Sequence, residues 1–197
     1  ITRKYDGSNG VTLEFATSPM REDVSRDILA NLWHRVNATK AEATVGCGLH
    51  IHVDGTGLGR EELARLINLW QDYGPRVWSA MPEVRQSSPY CGDTTVRGKP
   101  NDVEYWGGHL EIDGWDNYYD RYVDMNLENM RSGRKTVEFR LFPAYSGSEG
   151  YEADDHEVAL ELVDKDLMLA YVELARAFVR AAITNDTAPL QRAIQYI

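Results

Sequence analysis

The chain has 197 residues, 43% of them hydrophobic and including five Trp and eleven Tyr, which is ample for one domain with a sizeable core. A formal net charge of −10 excludes non-specific nucleic-acid binding, which needs a basic footprint, although a local Arg cluster can still hold an anionic substrate. Cys47 and Cys91 give no disulfide framework and suit a reducing cytoplasm, and the absence of an 18-residue apolar run or a leader pattern points to a soluble protein.

Tyr5 to Gly10 is turn chemistry (Asp-Gly, Asn-Gly) of the kind that links paired strands. Val11 to Ala16 reads as a strand, with Val11, Leu13 and Phe15 on one face and Glu14 on the other. Ser18-Pro19 closes it and opens a helix expected from about Arg21 to Ala38. Its apolar stripe is Val24, Ile28, Leu32 and Val36, widened by Leu29 and Trp33, with His34 off the stripe at the surface. Then comes Gly46-Cys47-Gly48-Leu49-His50-Ile51-His52-Val53-Asp54, which alternates strictly. Leu49, Ile51 and Val53 face one way; His50, His52 and Asp54 face the other. A merely solvated strand face more usually carries Thr, Lys, Glu or Ser.

A second helix is expected from Glu61 to about Met81, kinked or divided by Pro75. A polar loop follows over 81–91, with Arg85 inside it, and then an irregular, aromatic-rich stretch over 92–120 whose length points to function or mobility. Trp106 and Trp115 in that stretch line a cleft, make a subunit contact or fill the core; the sequence does not choose. Arg121 to Met130 reads as a strand with Val123, Met125 and Leu127 on one face and Tyr122, Asp124 and Asn126 on the other. After a basic turn, 137–142 alternates again: Val137, Phe139 and Leu141 inward, Glu138 and Arg140 on the polar face. An acidic Gly/Ser loop leads to a long helix expected from Glu157 to about Ile183, and a short helix ends the chain.

The expected class is α+β: an antiparallel sheet with helices packed on one face and a polar face gathering Glu14, His50, His52, Asn126, Glu138 and Arg140. Alone, Glu14 reads as a solvated strand residue, and Glu138-x-Arg140 as a cross-strand ion pair contributing about 0.2–1 kcal/mol. Together, carboxylates, imidazoles and a guanidinium suit a divalent metal with a phosphate. A zinc site would want a third His, which His109 or His156 would have to supply; an oxygen-rich set around one His suits Mg²⁺, or Mn²⁺.

Four motifs in order carry a resemblance: Gly48-Leu49-His50-Ile51-His52-Val53-Asp54; Pro82-x-x-Arg85 with Tyr90-Cys91; Arg121-Tyr122-x-x-x-Asn126-Leu127; and Thr136-Val137-Glu138-Phe139-Arg140-Leu141-Phe142. With Asp6-Gly7-Ser8 and Leu13-Glu14-Phe15-x-x-Ser18-Pro19, this pattern resembles the amidoligase family, carboxylate–amine ligases with a glutamine-synthetase-like catalytic fold. The resemblance implies an ATP-dependent enzyme that phosphorylates a small-molecule or peptide carboxylate and lets an amine donor displace the phosphate. It implies Glu14, His50 and Glu138 as metal ligands, Arg140 at the transferring phosphoryl group, and His52 supporting the site or touching ATP. Arg85 and Arg121 are implied as contacts to phosphate or substrate carboxylate, and Asn126 as an orienting group. Sites of this type can be shared across subunits, which leaves a homo-oligomer open. The family's pattern also has an earlier strand with a Glu-x-Glu pair of metal carboxylates. None precedes Ile1, so the expectation is a single amidoligase-like domain over 1–197 lacking that N-terminal strand.

Two other readings stand beside the ligase. One is a His-x-His metal-dependent hydrolase or oxygenase; a cupin, however, would want a Glu four residues after His52, where Thr56 stands, and long helices fit a jelly roll poorly. The other is a catalytically inactive ligase-like domain serving as a binding or assembly module.

Overall fold

A computed structural model describes residues 2–6, 12–88, 91, 123–131, 134–147, 149–152 and 158–197, with side chains from Phe15 onward except that of Arg131. In chain order the elements are β1 (Thr2–Asp6), β2 (Thr12–Ala16), α1 (Glu22–Ala38), β3 (Ile51–Asp54), α2 (Arg60–Ser79), α3 (Glu83–Gln86) and β4 (Met125–Asn126). After them come α4 (Glu128–Arg131), β5 (Thr136–Phe139), β6 (Tyr145–Ser146), β7 (Glu161–Leu162), α5 (Lys165–Thr184) and α6 (Ala188–Ile194).

β5 is the centre of a three-stranded antiparallel sheet ordered β3-β5-β4. Its alternation sends Val137 and Phe139 into the core, where both are fully buried. The register sets Ile51, Phe139 and Met125 side by side on that face. Helices α2 and α5 cover them, their stripes contributing Leu66, Ile67 and Trp70, and Leu174 and Phe178. Trp70 packs edge-on against Phe139 and Phe178, with ring centroids 5.5 and 4.9 Å away. The expected α+β class, with small antiparallel sheets and helices on one face of the central one, is therefore observed. No helix among the described residues is long and apolar enough to cross a membrane.

Several local expectations are corrected. Thr2–Asp6 is a strand paired with β2, with Lys4 opposite Glu14, where turn residues were expected from Tyr5. Helix α1 is turned by about one residue from its expected stripe. Ser25 is buried and Leu29 and Trp33 pack half-buried against the core, while Val24 and Ile28 are 43% and 44% exposed. The reason is polar docking onto α5: Arg176 donates to Ser25 Oγ at 2.9 Å, Arg180 pairs with Glu22, and Trp33 Nε1 donates to the Val163 carbonyl at 2.8 Å. Pro75 does not divide α2, which runs on to Ser79 with Pro75 on its exposed side. The loop at 81–91 contains the helical turn α3.

The strand expected over 121–130 ends at Asn126, because Asn126 Oδ1 accepts the Glu128 N–H at 2.7 Å and turns the chain into α4. Glu161–Leu162 is a strand paired with β6, and α5 begins at Lys165, later than expected. Asp164 caps it by accepting from the Asp166 and Leu167 amides at 2.7 and 3.2 Å. Val158, Leu160 and Leu162 alternate as a strand does, a signal masked by the helix-favouring Ala-Leu-Glu-Leu composition.

Candidate functional site

The same register that lines up the core also builds the opposite face. His52, Glu138 and Asn126 are neighbours across three strands, the row beside Ile51, Phe139 and Met125. Asn126 Nδ2 donates to Glu138 Oε2 at 3.1 Å, and Arg140 Nη1 donates to Glu138 Oε1 at 2.9 Å. The same Oε1 lies 3.6 Å from His50 Nδ1 and 3.7 Å from His52 Nε2. Glu138, Arg140 and Asn126 are 6, 8 and 2% exposed, whereas both imidazoles reach solvent. The arrangement is a sunken carboxylate under two accessible imidazoles, braced by a guanidinium and an amide.

The His52 ring is held on its other side. Thr136 Oγ1 and Asn129 Nδ2 lie 3.2 and 3.5 Å from Nδ1, so both fix the ring on the side away from Glu138. Asp54, next on this face, accepts from the Thr56 hydroxyl and amide at 2.6 and 2.9 Å, and these bonds hold its carboxyl below the usual range.

Beyond Phe139 the strand pair slips. Ile51 faces Phe139, but Leu49 N donates to the Phe142 carbonyl at 2.9 Å and Gly48 pairs with Pro143. Two residues, Arg140 and Leu141, therefore oppose His50 alone, which is a β-bulge. It explains why Leu141 and Phe142 are consecutive yet both fully buried, Phe142 stacking on Tyr171 at 4.6 Å. Arg85, on α3, sits behind the bulge, 1% exposed. Its Nε donates to the Leu141 carbonyl at 3.0 Å and its Nη2 to the Arg140 carbonyl. Gly48 makes this possible, since a Cβ there would lie 2.5 Å from Arg85 Nη2 and 3.2 Å from His50 Nε2.

Of the expected site residues, the structure brings His50, His52, Asn126, Glu138 and Arg140 into one cluster, with Arg85 beneath it. Glu14 lies in β2, which among the described residues pairs only with β1 and not with the β3-β5-β4 sheet. The Glu14 side chain, Arg121, Tyr90, His109, His156, Trp106 and Trp115 lie outside what the structure describes. Among the described residues no group of three His, Cys, Asp or Glu side chains is gathered as a metal-ligand set. Glu138 and the two imidazoles are the donors at hand, Oε1 already accepts from Arg140, and the Glu14 side chain lies outside the described residues, so the described side chains alone do not complete a Mg²⁺ shell.

Sequence reasoning missed three supporting residues. Asp124, 1% exposed, accepts from Trp70 Nε1 at 3.1 Å and from the Met125 amide at 2.8 Å, tying the helix layer to the site strand. Alternation placed it on the polar face with Asn126, whereas its carboxylate reaches Trp70 in the helix layer. Thr136 stands two residues before Glu138 and so carried a period-two signal of its own, whereas Asn129 gave none, because its role exists only where α4 passes His52. Comparison of the chain with protein-family models, curated proteins and solved structures gives no match.

Proposed function

We propose that the chain is an ATP-dependent carboxylate–amine ligase with a glutamine-synthetase-like catalytic fold, working with Mg²⁺ or Mn²⁺. The observation that carries this reading is the convergence of four segments, far apart in sequence, on one carboxylate and its strand. His50 and His52, Asn126 and Arg140 surround Glu138, and Arg85 grips the carbonyls just beyond it. These are the segments on which the amidoligase resemblance rests.

In this reading a substrate carboxylate oxygen attacks the γ-phosphorus of ATP and ADP leaves. An amine nitrogen then attacks the acyl phosphate carbon, inorganic phosphate departs, and the nitrogen gives up a proton. Arg140 stabilises charge on the transferring phosphoryl group, as a guanidinium fixed before the reaction does with least reorganisation. Glu138 fixes Arg140, and Asn126 fixes Glu138. A divalent metal, when bound, would be held by Glu14, His50 and Glu138 and would supply positive charge to the phosphate oxygens. The substrates are a small-molecule or peptide carboxylate and an amine, and the enzyme is placed in the cytoplasm.

A thermal-shift titration with ATP or a non-hydrolysable analogue, with and without Mg²⁺, tests the reading. A ligand bound only by the folded state must raise the midpoint by mass action. The expected result is a Mg²⁺-dependent rise that Glu138→Gln abolishes, followed by ADP release in a screen of acids and amines. No rise at saturating nucleotide would refute the proposal and leave the binding-module reading in front.

A further inference from the structure

We propose that Arg85 is a positioning residue of this site, a buried strap that grips the bulged main chain and thereby aims the Arg140 side chain at Glu138. The need for a strap follows from the bulge. Where two residues oppose one, the ladder between β3 and the 139–143 segment is interrupted, and main-chain carbonyls lose their usual partners. On the β4 side the pairing continues, since the Arg140 amide donates to the Asp124 carbonyl at 2.8 Å. On the β3 side the Arg140 and Leu141 carbonyls are taken instead by one guanidinium. A planar fork reaches two adjacent carbonyls from two separate nitrogens held in fixed geometry, whereas a Lys ammonium carries its three donors on one nitrogen and does not span them in the same way.

Arg85 is itself held in place. Its amide donates to the Pro82 carbonyl at 2.9 Å, closing the α3 turn, and Cys91 Sγ donates to the Arg85 carbonyl at 3.3 Å. At 1% exposure, with Nε and Nη2 committed to the main chain, it is poorly placed to meet a phosphate or carboxylate from solvent. Its charge is felt behind the strand: burial pushes the Cys91 thiol and the Tyr145 phenol up, and the Arg85 guanidinium pulls both partly back. Gly48 is the second half of the device, because any side chain there displaces the strap. The proposal stands on main-chain geometry and holds whether or not the site handles nucleotide.

The test uses the full chain with ¹⁵N-labelled arginine and no ligand. In the native protein the Arg85 Nε–H should exchange with solvent about a hundredfold more slowly than in free arginine, as a buried charge-assisted hydrogen bond demands. Arg85→Lys keeps the charge and loses the fork, while Gly48→Ala keeps Arg85 and pushes it off the carbonyls. In every variant whose amide spectrum shows the fold intact, the Arg140 Nε–H resonance should shift, and Lys should give no rescue. Exchange at the free-arginine rate would overturn the proposal. So would an Arg140 resonance unmoved in a folded variant. If Arg85→Lys does not fold, the native exchange rate and Gly48→Ala decide. Since no nucleotide is present, failure of the ligase reading leaves these results untouched.

Discussion

Replacing Glu138 tests the site as a structural unit before any substrate is known. The carboxylate is 6% exposed and receives Arg140 and Asn126 at 2.9 and 3.1 Å, with two imbalanced outcomes for two substitutions. Glu138→Leu removes the acceptor and strands a guanidinium that is itself 8% exposed, the situation in which breaking a buried pair costs about 3–5 kcal/mol. Glu138→Gln keeps the shape and one carbonyl oxygen but loses the charge, so the cost falls to that of weakened charge-assisted bonds, about 1.5–3 kcal/mol. For a chain of this size each kcal/mol moves Tm by about 2–4 °C, so the Leu variant should melt about 6–20 °C below the native protein, with Gln between. Urea unfolding followed by tryptophan fluorescence reads the same order, Trp70 being in the core beside β5. A Leu variant as stable as the native chain would refute the reasoning, because it would mean that Arg140 does not depend on Glu138.

Three further outcomes are expected. On α1, Ile28→Ser should change stability by less than about 0.5 kcal/mol, whereas Trp33→Phe, which loses the bond to the Val163 carbonyl, should cost about 1 kcal/mol. The reverse order in denaturant titrations would show the helix turned the other way. Glu22, hydrogen-bonded to Arg180, has its carboxyl held below 4.5; a lowered folded pKa contributes stability that is present above the unfolded value and lost as pH falls through the folded one. The native chain should therefore exceed Glu22→Gln in stability at neutral pH and converge with it in acid, and a gap that persists in acid would remove the Arg180 pairing from the explanation. Burial pushes Tyr145 and Tyr171 up to about 12, so both favour the neutral phenol in the folded state; stability is full below 10 and declines as pH rises toward 12. Two tyrosines ionising late in an ultraviolet titration, together with that alkaline loss, are the expected signs; all tyrosines ionising together in the folded protein would contradict them.

Strands β3 and β5 were legible because period-two alternation is local: each residue's face follows from its neighbours, whatever lies opposite. Helices α2 and α5 were legible for the same reason at a period of 3.6, to within a few residues at most of their ends. Helix α1 was legible as a helix but not in its phase. Its Val24–Ile28 line was as apolar as its Leu29–Trp33 line, and the choice was made by Arg176 and Arg180, some 150 residues away.

The candidate site divides along the same line. The sequence by itself determined that His50, His52, Glu138, Arg140 and Asn126 leave the apolar faces of their strands, because alternation dictates it. Only the tertiary structure decided that they meet, since the antiparallel register pairing His52 and Asn126 with Glu138 depends on how distant strands slide past one another. It also decided what Arg85 does. An arginine in a polar loop carries the same local signal whether it points at a ligand or at a carbonyl, and the bulge at Arg140–Leu141, which calls for a buried donor, exists only once two strands of unequal length are paired.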